Sequence, residues 1–244
     1  MRGNTPSVLK VHVFGEHGWE DQFRQALDGA AECTFGNEIP HPVDVLVKGT
    51  PTEEELQGVK HVVIPFAGIP VATRELLSTK PQTILYNLHH NAADTAEMAL
   101  ALYFAVAKKI VVRDRHLREG KWSEGSFMRG GSADSVRAAG KHALVLGYGA
   151  IGQRIANVCR AMEMTVWAVR RSGPFDSDIH SVEKLDDLLS SAEALFVALP
   201  LTPETEGLLS AERLDLLPRN CIIANIARGR IFNEEAMFNW LKAN

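Results

Sequence analysis

Short apolar runs alternate along the chain with stretches in which apolar residues recur at helical spacing. In the N-terminal part, the runs predict buried strands at residues 8–14, 43–47, 61–65 and 83–86. Helical spacing follows the first run, and Thr52 with Glu55 three residues later is typical of a capped helix start. Because strands that alternate with helices form parallel sheets, we expect a small α/β domain here.

The remainder of the chain repeats this alternation. Strands are predicted at residues 143–146, 165–169, 194–199 and 221–225, and helices at residues 185–190, 210–217 and 234–242. Ser210 and Asn233 are expected to cap the last two of these helices. A parallel sheet is therefore expected in this part of the chain as well.

A long helix is predicted between the two parts, over residues 94–116, with Asp94 as its cap. Residues 98–107 are apolar on nearly every side, so this part of the helix is expected to be buried. Residues 118–139 are rich in glycine and serine and predict an irregular connection, in which Trp122 and Phe127 are exceptions.

At 244 residues, the chain is long enough for a large core and for one or two domains. We place the boundary near Ala92, which gives domains of residues 1–92 and 93–244. The net charge of −4 gives no reason to propose nucleic acid or an anionic membrane as a partner.

Targeting and cysteine signals are weak. No apolar run approaches the length of a membrane span, and the N-terminus lacks the apolar core of a signal peptide, so a cytoplasmic location is the default expectation. The three cysteines are scattered and show no C-x-x-C spacing, which indicates neither a disulfide framework nor a metal site.

Three glycines connect a predicted strand to a predicted helix. Gly147, Gly149 and Gly152 stand in G-x-G-x-x-G spacing, and the helical pattern runs from Ile151 to Met162. In this context the first glycine permits a sharp turn, the second lets the backbone approach a pyrophosphate, and the third lets helix and strand pack closely. The unit predicts dinucleotide binding, and the alternative is an α/β unit with glycine turns and no ligand.

Arg170 and Arg171 follow the next strand, at the position where NAD-binding units carry an acidic residue for the ribose 2′-hydroxyl. Guanidinium groups suit a 2′-phosphate by charge and by bidentate geometry. We therefore favour NADP over NAD as the cofactor. The alternative is that both are solvated surface arginines.

The expected strand order places another arginine near the nicotinamide. In a doubly wound sheet of order 3-2-1-4-5-6, residues 166–169 and 194–199 would lie on one side of residues 144–146, and residues 221–225 on the other. Arg228, in the loop after that last strand, is then placed to hold a carboxylate and polarise a carbonyl. The alternative is an arginine that binds cofactor phosphate or a neighbouring acid.

Four motifs in order resemble the D-isomer-specific 2-hydroxyacid dehydrogenases. They are NAADTAEMALAL from residue 91, GYGAIG from residue 147, PLTPETEGLL from residue 200 and NIARGR from residue 225. The resemblance covers most of the chain. It implies an α/β fold of two Rossmann-like, doubly wound parallel-sheet domains, a substrate-binding domain and then a dinucleotide-binding domain, with the active site in the cleft between them. It also implies a homodimer built through the second domain.

The resemblance further implies roles for individual residues. Arg228 would be the substrate-binding and catalytic arginine, and backbone amides around Gly49, Ala67 and Gly68 would help hold the substrate carboxylate. The residues that would line the cofactor are Ala150, Ile151, Arg170, Pro200, Thr205, Ile226 and Ala227. The arginines after the second strand are similar to those of the glyoxylate and hydroxypyruvate reductase subgroup, which prefers NADP.

One departure from the family pattern concerns proton transfer. The family needs a histidine as general acid/base and a carboxylate that tunes it, yet all nine histidines precede Arg228. Glu234 and Glu235 follow it, but acids are favoured in a first helical turn by the helix dipole. The chain thus resembles a dehydrogenase whose second domain is incomplete at its C-terminal end, and we expect slow turnover or none. His89 and His90 are the remaining candidates for the acid.

The leading hypothesis is an NADP-preferring oxidoreductase that acts on a small 2-oxoacid or 2-hydroxyacid. Two alternatives stay open at this point. One is a dinucleotide-binding regulatory module without turnover, and the other is a related dehydrogenase for another anionic substrate, such as phosphonate.

Overall fold

The computed structural model describes residues 8–121 and 135–243, and Trp122 and Phe127 lie outside these ranges. The chain forms two compact units, Met1–Asn91 and Ala92–Asn244. Each unit contains a five-stranded parallel sheet with helices, which confirms the predicted fold class. Substrate binding by the first domain and dinucleotide binding by the second stay predictions about their roles.

The first unit is a small α/β sheet structure. Its strands are Leu9–Phe14 (β1), Ala31–Gly36 (β2), Val45–Val47 (β3), His61–Ile64 (β4) and Ile84–Asn87 (β5), and its helices are Glu20–Ala26 (α1) and Val71–Ser78 (α2). The strand order is β2-β1-β3-β4-β5, with all neighbouring strands parallel. Leu46, Val62, Ile64 and Leu77 form the centre of its core.

The sequence pattern misses β2 and α2 and overstates one helix. β2 shows no apolar run because it is an edge strand that exposes Glu32 and Thr34. The helix predicted to start at Thr52 is wrong, since only the single 3-10 turn Glu54–Leu56 forms. Its capping bonds are nevertheless present: the Thr52 N–H donates to a Glu55 carboxylate oxygen at 2.8 Å, and the Glu55 N–H donates to the Thr52 hydroxyl at 3.4 Å.

The second unit contains more helix. Its helices are Ala92–Ala107 (α3), Ile110–Arg118 (α4), Ala150–Ala161 (α5), Leu185–Leu189 (α6), Ala211–Leu216 (α7) and Glu234–Ala243 (α8). Its strands are His142–Leu146 (β6), Thr165–Val169 (β7), Ile179–His180 (β8), Ala194–Val197 (β9) and Ile222–Asn225 (β10). The strand order is β10-β9-β6-β7-β8, and all neighbouring strands are parallel.

The central strand β6 is buried on both faces. Ala143 and Val145 belong to the core that includes α3 and α5, whereas Leu144 and Leu146 belong to the core that includes α6, α7 and α8. Successive strand residues point to opposite faces of a sheet, so both sets must be apolar. This explains the continuous apolar run in the sequence.

The predicted arrangement of the strands in the second unit is wrong. β9 lies on the opposite side of β6 from β7, and β10 pairs with β9 instead of with β6. The cause is the two-residue strand β8, which is too short to produce an apolar run and which takes the third position beyond β7. β9 and β10 are therefore the fourth and fifth strands, so the loop after β10 still lies on the far side of β6 from β7.

The long helix predicted over residues 94–116 is also wrong, because the chain breaks between α3 and α4. Lys109 has a left-handed backbone with φ of +52°. At the break, the Ala107 carbonyl accepts a hydrogen bond from the Val136 N–H at 2.7 Å, and the Lys108 ammonium donates to the Val136 carbonyl at 2.7 Å. Within the described ranges, no helix is long and apolar enough to cross a bilayer.

Burial of the whole segment 98–107 is likewise not observed. Ala99 and Tyr103 are buried, because α3 packs against α5 and β10 through one face. On the other face Met98, Leu102 and Val106 are 57%, 44% and 59% exposed. The face of α3 that carries Met98, Leu102 and Val106 therefore has no cover within the described part of the chain.

The three remaining predicted caps, Asp94, Ser210 and Asn233, differ in outcome. Asn233 caps α8 as predicted, since its Oδ1 accepts the Ala236 N–H at 2.9 Å. Ser210 precedes α7, but its hydroxyl donates to Glu212 at 2.6 Å instead of capping the helix. Asp94 lies within the first turn of α3, because that helix already begins at Ala92.

Candidate active site

The carboxyl ends of the strands of the second unit lie side by side along one edge of its sheet, called here the carboxyl edge. β7 and β9 flank β6 on opposite sides, so the chain order reverses between β6 and β9. Open α/β sheets bind ligands at such a reversal. The predicted cofactor residues follow these strand ends: Gly147, Gly149, Ala150, Ile151 and Gly152 after β6, Arg170 and Arg171 after β7, Pro200 and Thr205 after β9, and Ile226 and Ala227 after β10.

The glycine turn holds the start of α5 close to the sheet. Gly147 has φ of +99°, and its N–H donates to the Val169 carbonyl at 2.9 Å. A Cβ on Gly147 would meet the Ala198 carbonyl oxygen at 2.6 Å, and a Cβ on Gly152 would meet the Gly147 carbonyl oxygen at 1.8 Å. No side chain therefore fits at either position.

Gly149, the middle glycine, stands in open space. It is exposed, and apart from its chain neighbours and the start of its own helix no described heavy atom lies within 4 Å of the position where its Cβ would be. The N–H groups in the first turn of α5 have no partner inside the helix, and no described side chain caps them. Together with the positive end of the helix dipole, this space suits a phosphate group.

Arg170 and Arg171 lie beside the glycine turn, because β7 pairs with β6. The Arg170 N–H donates to the His180 carbonyl at 3.0 Å, which fixes the backbone next to β8. Arg170 is half-buried and Arg171 is exposed. Within the described ranges neither guanidinium is paired with a carboxylate, so both charges are available to an anionic ligand.

Thr205 folds the loop after β9 onto itself. Its hydroxyl donates to the Pro200 carbonyl at 2.7 Å and accepts the Thr202 N–H at 2.8 Å. These bonds occupy the hydroxyl inside the loop. The role expected for Thr205 toward the cofactor therefore rests on the shape that it gives the loop.

Arg228 follows β10 in an extended backbone conformation, with φ of −143° and ψ of 149°. Its guanidinium is exposed and donates from Nη1 to the Ala227 carbonyl at 2.8 Å. Arg230 is paired with Glu206, whereas in the described part of the chain no carboxylate is paired with Arg228. No described acid therefore holds Arg228, and toward the described residues its guanidinium is available to an anion.

In the first unit, the residues expected to hold the substrate carboxylate lie at neighbouring strand ends. Gly49 follows β3, and Ala67 and Gly68 follow β4. The Phe66 ring packs on Gly49 so closely that a Cβ there would be 2.8 Å from the ring. The buried Thr73 hydroxyl donates to the Gly49 carbonyl at 2.8 Å, which fixes the orientation of that backbone segment.

A part-buried ion pair stands next to Gly49. The Lys48 ammonium lies 2.6 Å from a Glu55 carboxylate oxygen and 3.4 Å from the centre of the Phe14 ring. Burial by itself would raise the pKa of the Glu55 carboxyl, but hydrogen bonds from Lys48 and Thr52 outweigh it and lower that pKa. Glu55 is therefore ionised at neutral pH and holds the Lys48 side chain in place.

Other candidate reactive groups among the described residues are two buried cysteines and the two exposed histidines after β5. Burial raises the pKa of Cys159 and of Cys221 to about 12, so both thiols stay protonated and are poor nucleophiles at neutral pH. His89 and His90 are exposed after β5, and the Nε2 of His89 lies 3.0 Å from the Asn87 amide nitrogen.

Sequence reasoning misses two polar residues that hold the site backbone. Thr73 lies on α2, a helix that the apolar pattern does not reveal. Asn225 ends β10, and its amide bonds to the loop that carries Arg228. Asparagine after an apolar run does favour turns, so this signal is present in the sequence but not specific.

Comparison with known proteins gives consistent matches. Residues 100–244 match the family model for the D-isomer specific 2-hydroxyacid dehydrogenase, NAD binding domain. The chain is 33% identical over 199 residues to D-3-phosphoglycerate dehydrogenase of Archaeoglobus fulgidus, which is 78% of this chain and 36% of that protein. It is 27% identical over 241 residues to glycerate dehydrogenase of Methylorubrum extorquens, which is 98% of this chain and 71% of that protein.

A solved structure is similar over nearly the whole chain. It is a D-isomer specific 2-hydroxyacid dehydrogenase from Xanthobacter autotrophicus Py2 in complex with NADPH and MES. The TM-score is 0.77 at 26% identity, and the match covers 96% of this chain and 77% of that one. Against the Archaeoglobus relative, by contrast, the chain spans little more than a third of the other protein's length.

The three glycines predict different effects of an added methyl group. Gly149→Ala should keep the thermal unfolding midpoint and weaken nicotinamide dinucleotide binding, because its Cβ would enter only the open space at α5. Gly152→Ala should lower the midpoint, because its Cβ would overlap the Gly147 carbonyl oxygen. Calorimetry and a cofactor titration on both variants check this. A destabilised Gly149→Ala with normal affinity would contradict the assignment of the open space.

Proposed function

Since the chain belongs to the D-isomer specific 2-hydroxyacid dehydrogenase family, we propose that it acts in the transfer of a hydride between a nicotinamide dinucleotide and a small 2-oxoacid or 2-hydroxyacid. The observation that carries the proposal is Arg228 at the end of β10, which has no carboxylate partner among the described residues and lies across the glycine turn from Arg170 and Arg171. Three arginines without a described carboxylate partner, along one edge of the sheet, suit a dinucleotide and an anionic substrate.

Each residue of the carboxyl edge has a task in this proposal. The N-terminus of α5 and the space at Gly149 receive the pyrophosphate, and the loop from Pro200 to Thr205 borders the cofactor. When bound, the nicotinamide supplies or accepts the hydride, and the matching proton is exchanged between the reacting oxygen and water, with His89 and His90 as the remaining candidates for the acid. Arg228 binds the substrate carboxylate and draws electron density toward the reacting oxygen as negative charge develops there.

The first unit contributes carboxylate binding in this scheme. Thr73 fixes the Gly49 carbonyl, and Gly68 has φ of +86°, a conformation that other residues rarely adopt. The backbone amides of Gly49, Ala67 and Gly68 are proposed to donate to the substrate carboxylate. Backbone donors suit this task because they are held by the strands that precede them.

Removal of the Arg228 guanidinium tests the proposed function. Turnover of the parent chain is expected to be slow, but what turnover it has should depend on Arg228. Arg228→Ala should therefore lower the parent's kcat/KM for NADPH-dependent reduction of glyoxylate and hydroxypyruvate by about 10²–10³-fold, as expected when a charge-stabilising donor is lost. The dissociation constant of NADPH should stay unchanged. The absorbance band of NADPH follows the reduction of glyoxylate and of hydroxypyruvate, and a titration with NADPH gives the dissociation constant. Arg219→Ala, an exposed arginine at the opposite end of β10, is the control, and equal losses in both variants would refute the proposed role.

We further propose that the cofactor is NADP, with NAD as the weaker ligand. The support is the pair Arg170 and Arg171, whose guanidinium groups have no carboxylate partner within the described ranges and follow the strand next to the glycine turn. The adenosine ribose binds at this position in dinucleotide-binding folds. A 2′-phosphate there would receive charge-assisted hydrogen bonds that a 2′-hydroxyl cannot receive as strongly.

Cofactor preference is expected to depend on Arg170. NADPH should bind about 1–3 kcal/mol more tightly than NADH, which is the range of hydrogen bonds to charged groups. Arg170→Asp should reverse the order, since it repels a phosphate and accepts from the ribose hydroxyls. Calorimetric titrations with both cofactors measure this, and Arg219→Asp controls for the change in net charge. Equal affinities in the parent protein would sink the proposal.

We also propose that the protein is a homodimer that buries the exposed face of α3. Met98, Leu102 and Val106 form an apolar stripe on this face, and Val111 and Val112 on α4 are 62% and 50% exposed. Contiguous apolar surface of this kind usually marks an interaction site. A second copy is the occupant expected from the family resemblance.

The dimer proposal predicts the effect of a charge in the stripe. Leu102→Glu should shift the protein from a dimeric to a monomeric mass in light scattering at micromolar concentration. Burial of an unpaired carboxylate in the interface would carry a large desolvation penalty. Val158→Glu, on the exposed side of α5, is the matched control and should leave the mass unchanged. A monomeric parent protein would contradict the proposal.

A further inference from the structure

Asn225 makes two hydrogen bonds to the loop that carries Arg228. Its Oδ1 accepts the Ala227 N–H at 2.9 Å, and its Nδ2 donates to the Arg228 carbonyl at 3.0 Å. The orientation of the amide is determined by these partners, because a backbone N–H can only donate and a carbonyl can only accept. The Asn225 side chain thus holds the backbone of two successive residues, through the N–H of Ala227 and the carbonyl of Arg228.

The rest of this loop is held by other contacts. The Ile226 N–H donates to the Val197 carbonyl at 3.2 Å, which continues the pairing of β10 with β9. Beyond Arg228, the Gly207 N–H donates to the Arg230 carbonyl at 2.8 Å, and the Leu209 N–H donates to the Ile231 carbonyl at 3.0 Å. In the described chain, the backbone of residues 227 and 228 is held by one backbone bond, from the Ile231 N–H to the Arg228 carbonyl at 3.3 Å, and by two side chains, Asn225 and Arg228 itself. Asn225 is the one that bonds both residues.

The guanidinium of Arg228 is coupled to the same backbone. Its Nη1 donates to the Ala227 carbonyl at 2.8 Å, so the group that Asn225 positions is also the group against which the arginine side chain rests. In the described chain this is the one hydrogen bond of the guanidinium, and its other donors remain available. The Arg228 side chain therefore folds back onto the Ala227 carbonyl, and a change in the conformation of Ala227 moves the hydrogen-bond partner of the guanidinium.

From this geometry we infer that Asn225 is the positioning residue for Arg228, and that it sets the affinity for the carboxylate of the oxoacid without touching the oxoacid or the cofactor. The inference rests on the proposed function of Arg228. Its physical basis is that charge-assisted, bidentate binding depends on geometry. A guanidinium out of alignment loses one or both bonds to the carboxylate, and each such bond is worth about tenfold or more in affinity.

The test uses oxamate as the probe, because its planar amide–carboxylate has the shape of a 2-oxoacid. Oxamate is titrated calorimetrically into the NADPH complex of the parent protein and of Asn225→Ala, Asn225→Ser, Arg228→Ala and the double variant Asn225→Ala/Arg228→Ala. Asn225→Ala should weaken oxamate binding by about 10- to 100-fold and leave NADPH affinity unchanged. Asn225→Ser should be intermediate, since a serine hydroxyl can still accept the Ala227 N–H.

The double variant separates positioning from a structural role. If Asn225 acts through Arg228, Asn225→Ala has no further effect once Arg228 is alanine. Asn233→Ala is the matched control, because it removes a similar hydrogen bond at the start of α8. It should lower the thermal midpoint and keep oxamate affinity.

Each contrary outcome has a distinct meaning. If Arg228→Ala weakens oxamate binding and Asn225→Ala does not, the inference is wrong and the proposed role of Arg228 stands. Additive effects in the double variant, or a parallel loss of NADPH affinity in Asn225→Ala, also overturn the inference. If the parent complex does not bind oxamate, or Arg228→Ala binds it normally, the proposed function fails and the inference with it.

Discussion

The close approach of α5 to the glycine turn is the constraint on which the candidate site depends. A Cβ on Gly152 would lie 1.8 Å from the Gly147 carbonyl oxygen, so the helix can begin directly over the end of β6 only because this residue is glycine. β6 lies between β7 and β9, and the helix N-terminus consequently faces the middle of the carboxyl edge. The arginines after β7 and β10 then flank it at separations fixed by a strand spacing of about 4.8 Å.

Two kinds of side chain lie at the carboxyl edge. Some hold the loop backbone by hydrogen bonds, and the others are arginines without a carboxylate partner in the described chain. The side chains of Thr205 and Asn225 form hydrogen bonds to the backbone of their own loops, and these bonds hold the loop backbones in one conformation. Arg230 is paired with Glu206, while in the described ranges Arg170, Arg171 and Arg228 have no carboxylate partner. Among the described residues, the carboxylate of Glu206 in the loop after β9 is bound to Arg230, so it does not neutralise these three arginines. Unpaired cations on a fixed scaffold suit selective anion recognition because little must reorganise on binding.

The sequence predicts the fold class and the glycine turn well for a physical reason. Strands buried on both faces must be apolar throughout, so β6, β7 and β9 produce continuous runs. The same rule hides β2, whose Glu32 and Thr34 face solvent, and β8, which is only two residues long. Because the sequence pattern does not reveal β8, β9 is counted as the third strand of the sheet instead of the fourth. This one omission puts β9 on the wrong side of β6 in the predicted arrangement.

Side-chain contacts are harder to predict than elements. The apolar segment of α3 suggests burial on all sides, but burial also requires a neighbour on each side, and periodicity does not report neighbours. The break before α4 occurs at Lys109, a residue with no special tendency toward a left-handed backbone. Thr73 bonds the carbonyl of Gly49, which is distant in the sequence, and Asn225 bonds the loop that follows it. Sequence patterns do not predict either partner, because both depend on the folded backbone.

We propose that the carboxyl edge of the second sheet binds the dinucleotide in one orientation, with its adenosine end at Arg170 and Arg171 and its nicotinamide beside Arg228. A crystal structure of the chain with NADPH and oxamate tests this most directly. The pyrophosphate is expected at the N-terminus of α5, the 2′-phosphate against Arg170 or Arg171, and the oxamate carboxylate bonded to the Arg228 guanidinium. A pyrophosphate away from α5, or an adenosine ribose beside Arg228, would contradict it.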